Sequence, residues 1–171
     1  MRILGIDPGY AIVGFGVVDY AGMNFVPLEY GAITTEAGTV FSERLTAIYN
    51  DLDFLIDRWK PDCIALERLY FTSNQKTVID VAQARGVIIL CAAQKNIPLY
   101  EYTPLQVKMA VVGYGKAEKK QVMDLTRRIL RLEQIPKPDD AADALAIAIC
   151  HGHSHTGMML HEAEKRATRT V

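Results

Sequence analysis

Apolar residues follow two rhythms along this chain, and the change from one to the other gives the order of its elements. Residues 2–7 form a short apolar run, Arg-Ile-Leu-Gly-Ile, that ends on Asp7, which reads as a buried strand. Asp7-Pro8-Gly9 is a turn signal, with proline fixing φ and glycine permitting tight geometry. Residues 12–20 and 23–34 read as two more strands separated by Ala21-Gly22, and three strands on short turns imply an antiparallel meander. The rhythm then changes. Phe41, Leu45, Ile48, Leu52, Leu55 and Trp59 recur at alternating spacings of four and three, which predicts an amphipathic helix over 40–59 stopped by Pro61.

A short buried strand follows at 62–67, a helix at 74–95 and a fifth strand at 98–102. Helices are predicted at 104–112, 117–132 and 139–150. This order, βββαβαβ and then helices, predicts an α/β fold with a mixed five-stranded sheet flanked by helices. The domain is expected over 1–156, with 157–171 a polar, frayed tail. Gly86-Val-Ile-Ile-Leu-Cys-Ala-Ala93 carries no charge on any face. A helix apolar all round must be covered on both sides, so this segment is expected to lie between the sheet and a second layer or subunit.

Composition narrows the class. The 171 residues are half hydrophobic, with both signs of charge spread along the chain, as in a soluble globular domain. No apolar stretch is long enough to span a bilayer, and the chain opens directly into a strand without a secretory pattern. Cys63, Cys91 and Cys150 are odd in number and far apart, which points to a reducing cytoplasm. The net charge of −1 does not advertise a nucleic-acid partner. Locally, however, residues 104–133 hold seven basic residues against three acidic ones, a balance of +4.

The candidate chemistry lies in four acids. Asp7 and Glu67 each end an apolar strand, and Asp140 and Asp143 open the alanine-rich stretch Asp-Ala-Ala-Asp-Ala-Leu-Ala-Ile-Ala-Ile. A carboxylate on an apolar element is costly to desolvate unless something pairs with it, and a hard cation such as Mg²⁺ would satisfy all four through oxygen. Each acid also has a plainer explanation. Asp7 could open its turn, Glu67 could be an exposed strand end, and Asp139, Asp140 and Asp143 could answer the helix dipole. Together they favour a metal site, because Asp140 and Asp143, three apart, share a helix face. Tyr70 and Phe71 fall in a polar loop, where one could pack on the core and one could stack on bases. The tract Cys150-His151-Gly152-His153-Ser154-His155 offers no closed ligand set for zinc.

The chain resembles the RuvC family of Holliday-junction resolvases over nearly its whole length, to about residue 155. The likeness rests on Gly5-Ile-Asp-Pro-Gly9 with Gly14-x-Gly16, Ala65-Leu-Glu67, Gln83-Ala-Arg-Gly-Val87, Gln106-Val-Lys108, Val111-Val-Gly113, Ala117-Glu-Lys119 and Asp140-Ala-Ala-Asp-Ala-Leu-Ala146. The resemblance implies an RNase H-like fold and a two-metal endonuclease, using two Mg²⁺ with Mn²⁺ as a substitute. The enzyme would cut four-way junction DNA in recombination and repair, leaving 5′-phosphate and 3′-hydroxyl ends. It carries the family's catalytic acids onto Asp7, Glu67, Asp140 and Asp143, which would hold the metals, and its functional lysines onto Lys108 and Lys119. Lys119 would stabilise charge at the scissile phosphate, and Tyr70, with Phe71 beside it, would contact the junction. Lys116 and Lys120 join the expected DNA contacts by their place in the basic segment. Two departures stand out: Tyr70 replaces the more usual Phe, and some members carry His where this chain has Asp140.

The resemblance further implies a homodimer matched to a two-fold junction, work beside the RuvA–RuvB branch-migration machinery, and no membrane partner. Three rivals remain at this stage. One is an ATPase of the actin and sugar-kinase type, for which the chain is short. The others are a non-catalytic junction scaffold and a nuclease of RNA–DNA hybrids.

Overall fold

The computed structural model describes the backbone of residues 1–69 and 75–168, and side chains over 1–69 and 78–155. Strand β1 (Arg2–Asp7) is central. It pairs antiparallel with β2 (Ile12–Ala21), which pairs antiparallel with β3 (Asn24–Thr34). On its other side β1 pairs parallel with β4 (Cys63–Glu67), and β4 with β5 (Leu99–Tyr102). The sheet order is β3-β2-β1-β4-β5, the predicted mixed five-stranded sheet.

Period-two alternation divides the strand side chains between two apolar layers. Leu4, Ile6, Ile64 and Leu66 face α1 (Phe41–Trp59) and α2 (Gln75–Gln94). Ile3, Cys63 and Ala65 face α5 (Asp139–Thr168), which is covered in turn by α3 (Pro104–Val112) and α4 (Lys119–Ile129). Helix α5 is therefore an inner layer. Apart from half-buried Asp143, residues 141–151 are all buried.

Two glycines set how close α5 comes. A Cβ on Gly5 would lie 2.1 Å from the Ala144 carbonyl oxygen, and one on Gly14 would lie 2.0 Å from that of Asp140. No other residue fits at those separations. The glycines of β1 and β2 thus hold the acidic first turns of α5 against the strand that ends in Asp7.

Three expectations change in detail. Helix α4 is shorter than 117–132: Glu118 and Gln121 form a capping box at its start, and Arg131, just past its end, adopts a left-handed φ of 54°. Helix α5 does not stop at 150 but runs to Thr168, and no proline lies beyond Pro138 to break it. The apolar end of α2 is covered on one face only. Ile88, Cys91 and Ala92 are buried against the sheet and α1, whereas Gly86, Leu90 and Ala93 are exposed in the single chain.

Candidate active site

Asp7 and Glu67 end neighbouring parallel strands whose register pairs Ile6 with Leu66, so the two carboxylates sit side by side. Alternation places both on the α5 side of the sheet, with Ile3, Cys63 and Ala65. There α5 brings Asp143 in from above. The three acids line an open cleft of about 190 Å³ whose other walls include Lys108, Lys119, Pro104, Val107 and Val122. Strand ends, the first turns of α5 and the helix pair α3–α4 thus meet at one point.

The electrostatics show how tightly the acids are gathered. Burial pushes the Asp7 carboxyl up to about 8, and the charges of Glu67, Asp143 and Asp140 add to it, while Lys119 opposes them. Glu67 is raised by burial and then by Asp143. Asp143 is raised chiefly by burial, against the pull of a hydrogen bond from Lys119. Lys119 Nζ lies 2.8 Å from Asp143 Oδ2 and 3.7 Å from Asp139 Oδ2, and its own pKa is raised by the bond to Asp143.

As they stand, no three His, Cys, Asp or Glu side chains among the described residues are close enough to hold a metal ion. The donor set nonetheless fits a hard divalent cation. All four groups are carboxylates, three of them share one cleft, and burial first, with their mutual repulsion added, raises the Asp7 carboxyl to about 8. A bound cation would remove that repulsion.

Of the expected site residues, Asp7, Glu67, Asp143, Lys108 and Lys119 line the cleft. Asp140 is half-buried one turn earlier on α5, outside the lining, and acts on Asp7 and Asp143 through its charge. Lys116 and Lys120 are exposed and do not line it. Tyr70 and Phe71 lie outside the described residues.

Sequence reasoning passed over Asp139 as a plain first-turn acid, yet it shares Lys119 with Asp143. It also missed the apolar wall of Pro104, Val107 and Val122, for which no local pattern gives a signal. The histidine tract is spent on packing. Buried His151 lies between Tyr102 Oη at 2.7 Å and Cys63 Sγ at 3.2 Å, and His153 Nδ1 lies 3.1 Å from the Ala110 carbonyl oxygen.

Comparison with known proteins gives a consistent result. The family model described as Crossover junction endodeoxyribonuclease RuvC matches residues 3–151. The protein of that name from Ruminiclostridium cellulolyticum is 57% identical over 155 residues, which span 91% of this chain and 93% of the relative. Its counterpart in Brevibacillus brevis is 52% identical over 166 residues, 97% of this chain and all of the relative. Among solved structures, T. thermophilus RuvC in complex with a Holliday junction substrate superposes with a TM-score of 0.87 at 33% identity. The match covers 92% of this chain and 96% of that one. The yeast mitochondrial Holliday junction resolvase shares the fold, with a TM-score of 0.62 at 16% identity.

Proposed function

The chain belongs to the RuvC family of crossover junction endodeoxyribonucleases, and from that premise we propose that it resolves four-way DNA junctions by metal-dependent hydrolysis. One observation carries the reading at the level of chemistry. Three half-buried carboxylates and two lysines converge on one cleft, with a fourth carboxylate a turn away. Membership implies dependence on a divalent metal. Two Mg²⁺ ions, with Mn²⁺ as a substitute, are the reading the oxygen donors favour. When bound, such ions supply Lewis-acid charge at the phosphate and acidify the attacking water.

The chain's own residues do the rest. Asp7, Glu67, Asp140 and Asp143 would hold the ions, Asp7 from the end of the central strand. Lys119 already stands against Asp143, so its ammonium is placed to meet charge developing on a phosphate oxygen. Lys108, on the same cleft, offers a second cation to the backbone. Beyond the cleft, Lys116, Lys120, Tyr70 and Phe71 are proposed DNA contacts, the aromatics by stacking on bases opened at the crossover.

A two-fold substrate calls for two such sites. A homodimer through the bare face of α2 would supply them and pair the cuts. Partnership with the RuvA–RuvB machinery and action in the cytoplasm complete the proposal. Among the described residues no helix is long and apolar enough to cross a membrane.

Side-by-side cleavage of a four-way junction, a flap, an RNA–DNA hybrid and a plain duplex in Mg²⁺ tests this. The junction should be cut in paired strands and at the highest rate. Its nicks should be sealed by ligase, as 5′-phosphate and 3′-hydroxyl ends require. Comparable cutting of the hybrid would replace this reading with that of an RNA-directed nuclease.

A further inference from the structure

Beside the acidic cleft lies an apolar surface that the catalytic reading leaves unexplained. Leu105, Met109 and Tyr114 are 59%, 51% and 58% exposed. Leu105 and Met109 stand one turn apart on the same face of α3. Gly113 ends that helix in a left-handed conformation, φ 77°, and sends the chain back over it. Gly115 then rests on the two side chains, since a Cβ there would meet Leu105 Cδ1 at 2.4 Å and Met109 Sδ at 3.7 Å. The segment that carries Tyr114 is thereby laid along the Leu105–Met109 face. Pro104 and Lys108, neighbours of Leu105 and Met109, belong to the lining of the cleft with Asp7 and Glu67. Helix α3 thus serves both the cleft, through Pro104, Val107 and Lys108, and this exposed apolar face, and Lys108 and exposed Lys116 lie close to it along the chain.

We infer that Leu105, Met109 and Tyr114 form a platform for the base of an unpaired nucleotide next to the scissile phosphate, and that this platform sets the nucleotide preference of cleavage. Three exposed apolar side chains in a segment that also carries Lys108 and Lys116 suit a ligand that joins flat apolar faces to a phosphate backbone, which is a nucleic-acid strand. The extent fits as well. A stable protein interface engages roughly 20–30 residues a side, whereas a patch of three matches one or two bases. Stacking and apolar contact rank the bases by face area and shape rather than by hydrogen bonds, so the preference is graded. The inference rests on the junction-cutting reading above.

The test uses the full chain and a set of four-way junctions that differ only in the nucleotides around the crossover. Single-turnover rates are measured in Mg²⁺. Fluorescence of 2-aminopurine placed beside the crossover is read in Ca²⁺. The wild type should quench the probe and cut the junctions at clearly different rates. Tyr114→Ala should cut the best sequence roughly 5- to 160-fold more slowly, the range that loss of one stacking partner corresponds to. It should also narrow the spread between best and worst sequences, lose the quench and keep its melting temperature. Tyr114→Phe should match the wild type. Leu105→Ala combined with Met109→Ala should reproduce Tyr114→Ala, and Tyr114→Ala alone decides the matter if the double variant does not fold. Unchanged rates, spread and quench in Tyr114→Ala would overturn the platform while leaving junction cutting in place. A wild type that neither binds nor cuts any junction would remove the junction reading and this inference with it.

Discussion

At the scale of single residues, Asp7 is the group on which the site turns. Its carboxyl is raised to about 8 by burial and by three neighbouring acids, against an ordinary value near 4. The folded metal-free protein therefore holds a proton on Asp7 across a range in which the unfolded chain has lost it. Linkage fixes the sign: this contribution to stability is full below about pH 4 and is lost as pH rises through about 8. Asp7→Asn keeps the neutral form at every pH. It should raise the metal-free melting temperature at pH 8 by ~2–4 °C for each kcal/mol of repulsion removed. It should also lose the stabilisation that Mg²⁺ gives the wild type. Cleavage should fall to background while junction binding in Ca²⁺ stays nearly intact, because phosphate contacts elsewhere carry affinity. Normal turnover in this variant would remove Asp7 from the metal set.

At the scale of elements, α2 is the one whose two faces differ most from the sequence expectation. Its charge-free end was expected to need cover all round, and in the single chain one face stays open. Ile79 and Leu90 are 60% and 53% exposed, and Gly86, between them, has open space where a Cβ would stand. Ile88, by contrast, is fully buried and packs in the sheet layer. The homodimer reading therefore makes different predictions for residues two apart. Leu90→Glu should convert a species of about twice the chain mass into monomers in sedimentation, with its melting temperature little changed when dilute. It should also uncouple the paired cuts. Ile88→Glu should instead unfold the protein, because it buries an unpaired charge. A wild type that sediments as a monomer while cutting both strands in concert would refute the dimer.

At the scale of the whole molecule, His151 ties the sheet to its inner helix. It stands on α5 and meets Cys63 on β4 and Tyr102 on β5. Burial, with a smaller push from His155, holds its pKa down to about 4. The imidazole is thus neutral in the fold, whereas in the unfolded chain it takes up a proton near pH 6.5. Its contribution is full above about pH 6.5 and is lost progressively as pH falls to about 4, up to roughly 3 kcal/mol. This slope is opposite to that of the acidic cleft. His151→Gln should be less stable than the wild type at pH 7, yet lose less stability between pH 6.5 and 4. Chemical denaturation across that range measures the difference, and parallel curves would show that His151 does not control the acid limb.

The sequence by itself determined the order of elements and the mixed sheet, and it singled out the acids of which three line the cleft. These are local properties: the period of apolar positions, turn chemistry at Pro8-Gly9 and Pro61, and a carboxylate where an apolar run ends. The RuvC-like motifs added what a single acid cannot, since Asp7 alone reads equally well as a turn residue. Tertiary structure decided what depends on residues brought together from far along the chain. It placed Asp140 outside the cleft that Asp143 enters, although the two share a helix face, because Gly14 seats that turn against β2. It set Lys119 on Asp143, left Leu90 bare while burying Ile88, and spent His151 on packing. It also folded Gly115 back onto Leu105 and Met109 and left both side chains, with Tyr114, exposed. Exposure and charge coupling are set by what packs across from a residue, and neighbours along the chain carry no record of that.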